Sequence, residues 1–154
     1  MGRIMRNTLS TGVVLLAAMQ VVRPARVNPP IDRQQSLEAV LSTDSPALRV
    51  IDRSCRDCHS NDTTWPWYSN VAPVSWLIVR DVVKGREELN FSKWGSYRPE
   101  QRRKLLKKSC EEVREGEMPL AVYALVHHTT RLTPADVEAV CGLAQMELAR
   151  SSGP

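Results

Sequence analysis

Cys55-Arg56-Asp57-Cys58-His59 places two thiols and an imidazole within five residues. C-x-x-C-H is the attachment signature of c-type haem. The two thiols add across the two haem vinyl groups and leave thioether bonds. The adjoining histidine is then carried beneath the iron as its proximal ligand. With 4 Cys and 3 His in 154 residues, chance supplies only about 0.002 such matches per chain. A zinc site uses C-x-x-C with a second ligand pair at matching spacing. Here Cys110, Cys141, His127 and His128 are scattered, with no second C-x-x-C and no H-x₃₋₅-H. A thioredoxin-like pair needs a strand–helix–strand setting, and strand signals are weak throughout.

An iron centre that only moves electrons also needs its second axial position filled, and a methionine thioether there raises the potential. Of the five methionines, three precede residue 20 and Met146 falls in an amphipathic segment. Met118 differs, because Gly116-Glu117-Met118-Pro119 is a turn between two helical stretches. Gly116 releases the chain and Pro119 holds the backbone around the sulfur, so Met118 is the expected distal ligand. His127 and His128 are the rivals. Either could replace Met118 at lower potential or reach a haem propionate.

The elements that must carry these residues read as helices joined by ordered loops. Ser45-Pro46 is a cap and first-turn pair for a short helix through Ala47 to Ile51, which delivers the chain into Cys55. Residues 60–72 read as irregular. Pro73 opens a second helix through Trp76, Leu77, Val79, Val82 and Val83, with Gly85 as its expected stop. Phe91, Trp94 and Tyr97 fall in a further loop. Pro99 opens a third helix through Leu105, Leu106, Cys110 and Val113, ending at Gly116. A short helix spans Leu120 to Val126. Thr133-Pro134-Ala135-Asp136 caps a final helix through Val137, Val140, Cys141, Ala144 and Leu148. Seven of the eight aromatic residues lie between Trp65 and Tyr97. They read as core, with Trp65, Trp67, Tyr68 and Trp76 as candidate walls of the haem pocket. Cys110 and Cys141 each fall on an apolar helix side. They are either a disulfide or two buried thiols.

Composition sets the frame. The length suits one small domain, with residues 1–22 as a signal peptide or membrane anchor, 23–35 as a Pro-rich linker and 36–150 as the haem domain. Arg3 and Arg6 precede a mostly apolar stretch from Leu9 to Val22. That length fits an export signal and is short for a membrane span, while no clean A-x-A cleavage site follows. The formal charge of +4 falls to about +2 without Arg3 and Arg6. No basic stripe is coupled to a stacking platform, so nucleic acid is not an expected partner. The run Arg102-Arg103-Lys104 with Lys107-Lys108 reads as a solvated helix face or as a docking patch for an acidic redox partner.

Cys55-Arg56-Asp57-Cys58-His59-Ser60-Asn61 followed by Thr64-Trp65-Pro66-Trp67-Tyr68 resembles the bacterial haem-binding domain family of small monohaem c-type cytochromes. Ala72-Pro73-Val74-Ser75-Trp76-Leu77, Gly85-Arg86, Leu89-Asn90-Phe91-Ser92, Trp94, Gly116-Glu117-Met118-Pro119-Leu120, Tyr123, His127 and Arg131-Leu132-Thr133 extend the likeness across roughly residues 24–145. The resemblance implies one covalent haem c in an exported domain. The expected fold is all-α: a small cytochrome c-like helical domain wrapped around the cofactor, with long ordered loops. It gives no support to a Cys110–Cys141 bridge. The expected function is single-electron transfer in the periplasm with a protein redox partner, no catalytic residues, and membrane contact only through the N-terminus. The alternatives are a haem peroxidase or gas sensor using His127 or His128, and an accessory subunit of a larger exported enzyme.

Overall fold

The computed structural model describes residues 2–41 and 45–150. The side chains of Arg3, Ile4, Leu148 and Arg150 lie outside the described set. Every regular element among the described residues is helical. Helix α1 (Gly2–Met19) projects its apolar side chains into solvent. Then come α2 (Leu37–Leu41), α3 (Pro46–Ser54), α4 (Arg56–His59), α5 (Val74–Glu88), α6 (Pro99–Glu115), α7 (Ala121–Val126) and α8 (Pro134–Arg150). The all-α expectation therefore holds.

Local chemistry accounts for most helix ends. Ser45 Oγ accepts the Leu48 amide at 3.3 Å and Pro46 fills the first turn of α3, satisfying amides that the helix itself leaves unpaired. Thr133 and Asp136 cap α8 reciprocally: the Asp136 carboxylate accepts the Thr133 amide at 2.8 Å and Thr133 Oγ1 accepts the Asp136 amide at 3.2 Å. Gly116 ends α6 at φ 74°, a left-handed conformation that a side chain disfavours.

Three local expectations change. Gly85 does not stop the second helix, which continues three residues further to Glu88. The segment holding Phe91, Trp94 and Tyr97 is not an open loop. It is a 3₁₀ turn over Phe91–Ser96, with the Asn90 side chain accepting the Ser92 amide. Trp94 is 0 % exposed at its centre, packed between Phe91 and Tyr97. The Pro-rich stretch also contains a 3₁₀ turn at Arg33–Gln35, capped by Asp32. Residues 22–30 carry no regular element and are bonded to the domain at Val22, Asn28 and Pro30.

Helices α3, α6 and α8 form the packed unit. Leu106, Cys110 and Val113 of α6 meet Val140, Cys141, Leu143 and Ala144 of α8, while Ala47, Val50 and Ile51 of α3 close the third side. Leu37 and Leu41 of α2 cap this core beside Trp94. Burial of that apolar surface supplies the main drive to fold. The choice between a bridge and free thiols resolves as a disulfide, Cys110–Cys141, pinning α6 to α8. The bridge closes a loop across a sequence separation of 31, which corresponds to about 3–4 kcal/mol of chain entropy removed from the unfolded state. Replacing both cysteines by alanine should therefore lower unfolding free energy by about 2–4 kcal/mol in urea titrations. A midpoint equal to that of the parent would show that the bridge contributes nothing.

Candidate functional site

The C-x-x-C-H segment is itself a single helical turn, α4, entered directly from α3. Cys55 ends α3 and begins α4, donating its amide to Ile51. The amides of Cys58 and His59 return to the Cys55 carbonyl at 3.3 and 3.0 Å. This tight turn brings all three motif side chains onto the wall of one cavity of about 300 Å³. Ile51, Leu89, Phe91, Leu106, Val113 and Val140 give the cavity an apolar lining, and Met118, Pro119 and Leu120 complete it. Asp81, Lys84, Glu88 and Lys108 also border it. A Glu88–Lys108 ion pair at 3.0 Å spans from α5 to α6 there.

His59 is held in one tautomer. Its Nδ1 lies 2.9 Å from the Gly85 carbonyl and 3.1 Å from the Leu89 carbonyl. Carbonyl oxygens only accept, so Nδ1 carries the hydrogen and Nε2 keeps its lone pair. Donation of the second ring nitrogen to a carbonyl is the usual support for a metal-bound imidazole. Burial pushes the His59 pKa down, which favours the neutral form that a ligand needs.

Gly85 makes this arrangement sterically available. A Cβ at Gly85 would stand 2.7 Å from the Cys58 carbonyl oxygen. The missing side chain, rather than a helix stop, lets α5 lie directly on the motif turn.

The two motif thiols are paired neither with each other nor with another cysteine. Burial pushes Cys55 up to about 12, with Cys58 adding to the effect. Burial and then Asp57 push Cys58 up to about 11. A redox-active thiol pair needs the opposite environment, one that favours thiolate. Nor do three or more His, Cys, Asp or Glu side chains gather as a metal-ion cluster among the described residues. Two unpaired thiols, a free imidazole Nε2 and the Met118 thioether around an apolar cavity are the donor set that a tethered haem requires.

The surrounding polar residues brace the turn. Asp57 accepts the Thr64 amide at 3.0 Å with Oδ1 and the Tyr123 hydroxyl at 2.8 Å with Oδ2. Arg56 reaches Glu38, Asp52 and Asp62. Arg86 donates to the carbonyls of Ser60 and Val27, both at 2.6 Å, and to Asn28 Oδ1 and Thr63 Oγ1 at 2.9 and 2.7 Å. It thereby fastens α5, the loop after the motif and the N-terminal strap together. Deeper still, the Asn90 side chain donates to Asn61 Oδ1 at 2.8 Å, and Ser92 Oγ accepts the Asn61 amide at 3.0 Å. Buried polar groups satisfied in this way give a uniquely ordered site.

Cys55, Cys58, His59 and Met118 thus share one cavity, as expected for a ligand set. The turn at Gly116 works as anticipated: the amides of Glu117 and Met118 both donate to the Glu112 carbonyl, at 3.0 and 3.2 Å. The aromatic expectation requires correction. Trp65, Trp67, Tyr68 and Trp76 do not line the cavity. Trp65 and Trp76 donate their indole N–H groups to Asn28 and to the Val22 carbonyl, and Trp67 is 79 % exposed. Trp65 and Trp76 thus face the strap, and Tyr68 faces His127, because residues 60–72 lead away from the motif turn. Phe91 and Tyr123 are the aromatics that reach the cavity. Tyr123, outside the aromatic-rich stretch, was legible only through its place in the segment after Met118.

His127 does not line the cavity either. Its Nε2 meets the Tyr68 hydroxyl, and its ring stacks on Tyr123 with centroids 4.5 Å apart. His128 is exposed. In the basic run, Arg102 is turned inward, donating to the carbonyls of Tyr97 and Gly95. Lys104 and Lys107 are exposed.

Comparison with known proteins gives a match to the haem-binding domain family over residues 14–145. No curated protein and no solved structure matches the chain. The matched span includes the motif turn, the His59-supporting end of α5, Met118 and both cysteines of the disulfide.

Gly85→Ala tests how the site is built. The added methyl has no room against the Cys58 backbone, so unfolding free energy of the haem-loaded protein should fall by about 1–3 kcal/mol. Denaturant titration reads this directly. A neutral or stabilising substitution would contradict the close approach of α5 to α4.

Proposed function

The chain belongs to the haem-binding domain family, and we propose that it is an exported monohaem c-type cytochrome that passes single electrons to and from a protein partner. The observation that carries this reading is the convergence of Cys55, Cys58, His59 and Met118 on one apolar cavity, with His59 Nδ1 committed to backbone carbonyls. Cys55 and Cys58 would hold the haem through thioethers, and His59 and Met118 would bind its iron. Haem bound there supplies a one-electron iron couple.

The protein's part is positioning and exclusion. The Gly85 and Leu89 carbonyls fix the plane of the imidazole, and hydrogen bonding of Nδ1 raises the basicity of Nε2. Apolar walls keep water from the centre and set its dielectric, one of the protein's levers on potential. With His59 and Met118 both bound to the iron, no site for substrate would remain on it. Docking of a partner falls to the charged border formed by Asp81, Lys84, Glu88 and Lys108, where complementary charge sets orientation and encounter rate. A peroxidase or gas-sensing role drew on His127 or His128, and His127 is instead committed to Tyr68 and Tyr123.

Export fits the basic residues Arg3 and Arg6 in the first turns of α1, ahead of its apolar stretch. No helix among the described residues is long and apolar enough to cross a membrane.

Protein produced with a c-type haem maturation system should keep its haem through acid–acetone extraction and give a low-spin c-type pyridine haemochrome. Haem that extracts freely would overturn covalent attachment. Met118→Ala should lower the reduction potential and open the ferrous protein to carbon monoxide, as followed by spectroelectrochemistry and ligand titration. An unchanged potential and spectrum would remove Met118 from the iron.

A further inference from the structure

We propose that the surface formed by Trp67, Val71, Val74 and Leu77 rests on an anionic lipid surface beside α1. This inference concerns the outside of the domain and does not depend on the electron-transfer reading. All four side chains are exposed, Trp67 to 79 % and Leu77 to 50 %. Val74 and Leu77 lie one turn apart on one side of the start of α5, and Val71 stands in extended backbone just before that helix. The 3₁₀ turn Trp67–Asn70 packs against α5, which sets the tryptophan beside these valines and Leu77, and an exposed apolar surface of this kind marks an interaction site rather than ordinary scatter.

Its position identifies the occupant. The end of α1 is fastened to this same part of the domain. Gln20 Nε2 donates to the Ala72 carbonyl at 3.1 Å, and the Ala72 amide donates to Gln20 Oε1 at 3.0 Å. Trp76 Nε1 donates to the Val22 carbonyl at 2.7 Å, and Arg26 donates to Ser69 Oγ at 3.3 Å. Helix α1 exposes Leu9, Val13, Val14, Leu15 and Leu16. An apolar helix and an apolar domain face therefore meet at a bonded junction.

Charge points the same way. Residues 1–31 contain Arg3, Arg6, Arg23 and Arg26 and no acidic residue. The formal excess of +4 lies wholly within that stretch, and the remainder of the chain is neutral. A basic segment with exposed apolar side chains suits a membrane surface with anionic headgroups. Tryptophan suits its headgroup layer, where the ring is apolar and the N–H is wet. The Val74 and Leu77 side of α5 turns charged at Arg80, Asp81 and Lys84. Lipid contact thus stops about one turn short of Asp81, the first α5 residue to line the haem cavity.

The test uses full-length, haem-loaded protein with intact mass verified, mixed with phosphatidylglycerol–phosphatidylethanolamine vesicles and, separately, phosphatidylcholine vesicles. The parent should sediment with the anionic vesicles. The double variant Trp67→Ser with Leu77→Ser should bind on the order of tenfold more weakly. Its unchanged visible spectrum would show that the haem site is intact. Hydrogen exchange of the parent protein supplies an independent reading: vesicles should protect residues 67–77 together with α1. Protection confined to α1, with variant binding equal to the parent, would overturn the proposal. So would no vesicle binding, or protection of 67–77 that rises with protein concentration without lipid, which would instead assign the surface to a second copy of the chain.

Discussion

The Nδ1 hydrogen of His59 is shared by the Gly85 and Leu89 carbonyls, and that contact requires α5 to lie against the motif turn with no side chain between them. Gly85 satisfies the requirement. From it follow the direction of the imidazole, the nearness of Leu89 and Phe91 to the cavity and the placement of α5 along one side of the site. Arg86, the next residue, uses the same proximity to bind Ser60 and Thr63 on one side and Val27 and Asn28 on the other.

Two supports then meet at the cavity. One is the disulfide-pinned pair α6 and α8, whose core contains Leu106, Val113 and Val140, all lining residues. The other is the polar scaffold around α4 and α5, where Asn90 donates to Asn61 and where Asp57 and Arg86 are joined through the Thr63 hydroxyl. The apolar half provides folding energy and the polar half provides a fixed orientation. Met118 belongs to the first half through the end of α6. Tyr123 joins the two, lining the cavity while donating to Asp57.

Division of labour extends along α5. Its first turns carry the exposed Val74 and Leu77, and its last turns carry Asp81, Lys84, Gly85 and Glu88 at the cavity. One helix thus links the part of the domain fastened to the N-terminal strap with the part that holds Cys58 and His59. The four glycine, arginine and asparagine positions that make this work, Gly85, Arg86, Asn28 and Asn61, are not ligands themselves.

The sequence by itself determined what is encoded within a few residues. The thiol, thiol and imidazole of Cys55, Cys58 and His59 follow from their spacing, as do the Ser45 and Thr133 caps and the Gly116 turn before Met118, because each depends on neighbours one to four positions away. Family resemblance extended that legibility to haem. Tertiary structure decided what depends on which distant segments meet. Gly85 reads locally as a helix stop, yet its role comes from Cys58, 27 residues earlier. Trp65, Trp67, Tyr68 and Trp76 are chemically suited to a pocket wall, but an aromatic side chain serves equally well against a strap, beside His127 or at the surface, and composition carries no direction. His127 had an imidazole free for iron until packing set it against Tyr68 and Tyr123. The pairing of Cys110 with Cys141 was likewise open until α6 and α8 packed side by side, since covalent closure needs two cysteines at one place and their spacing in the chain does not supply it.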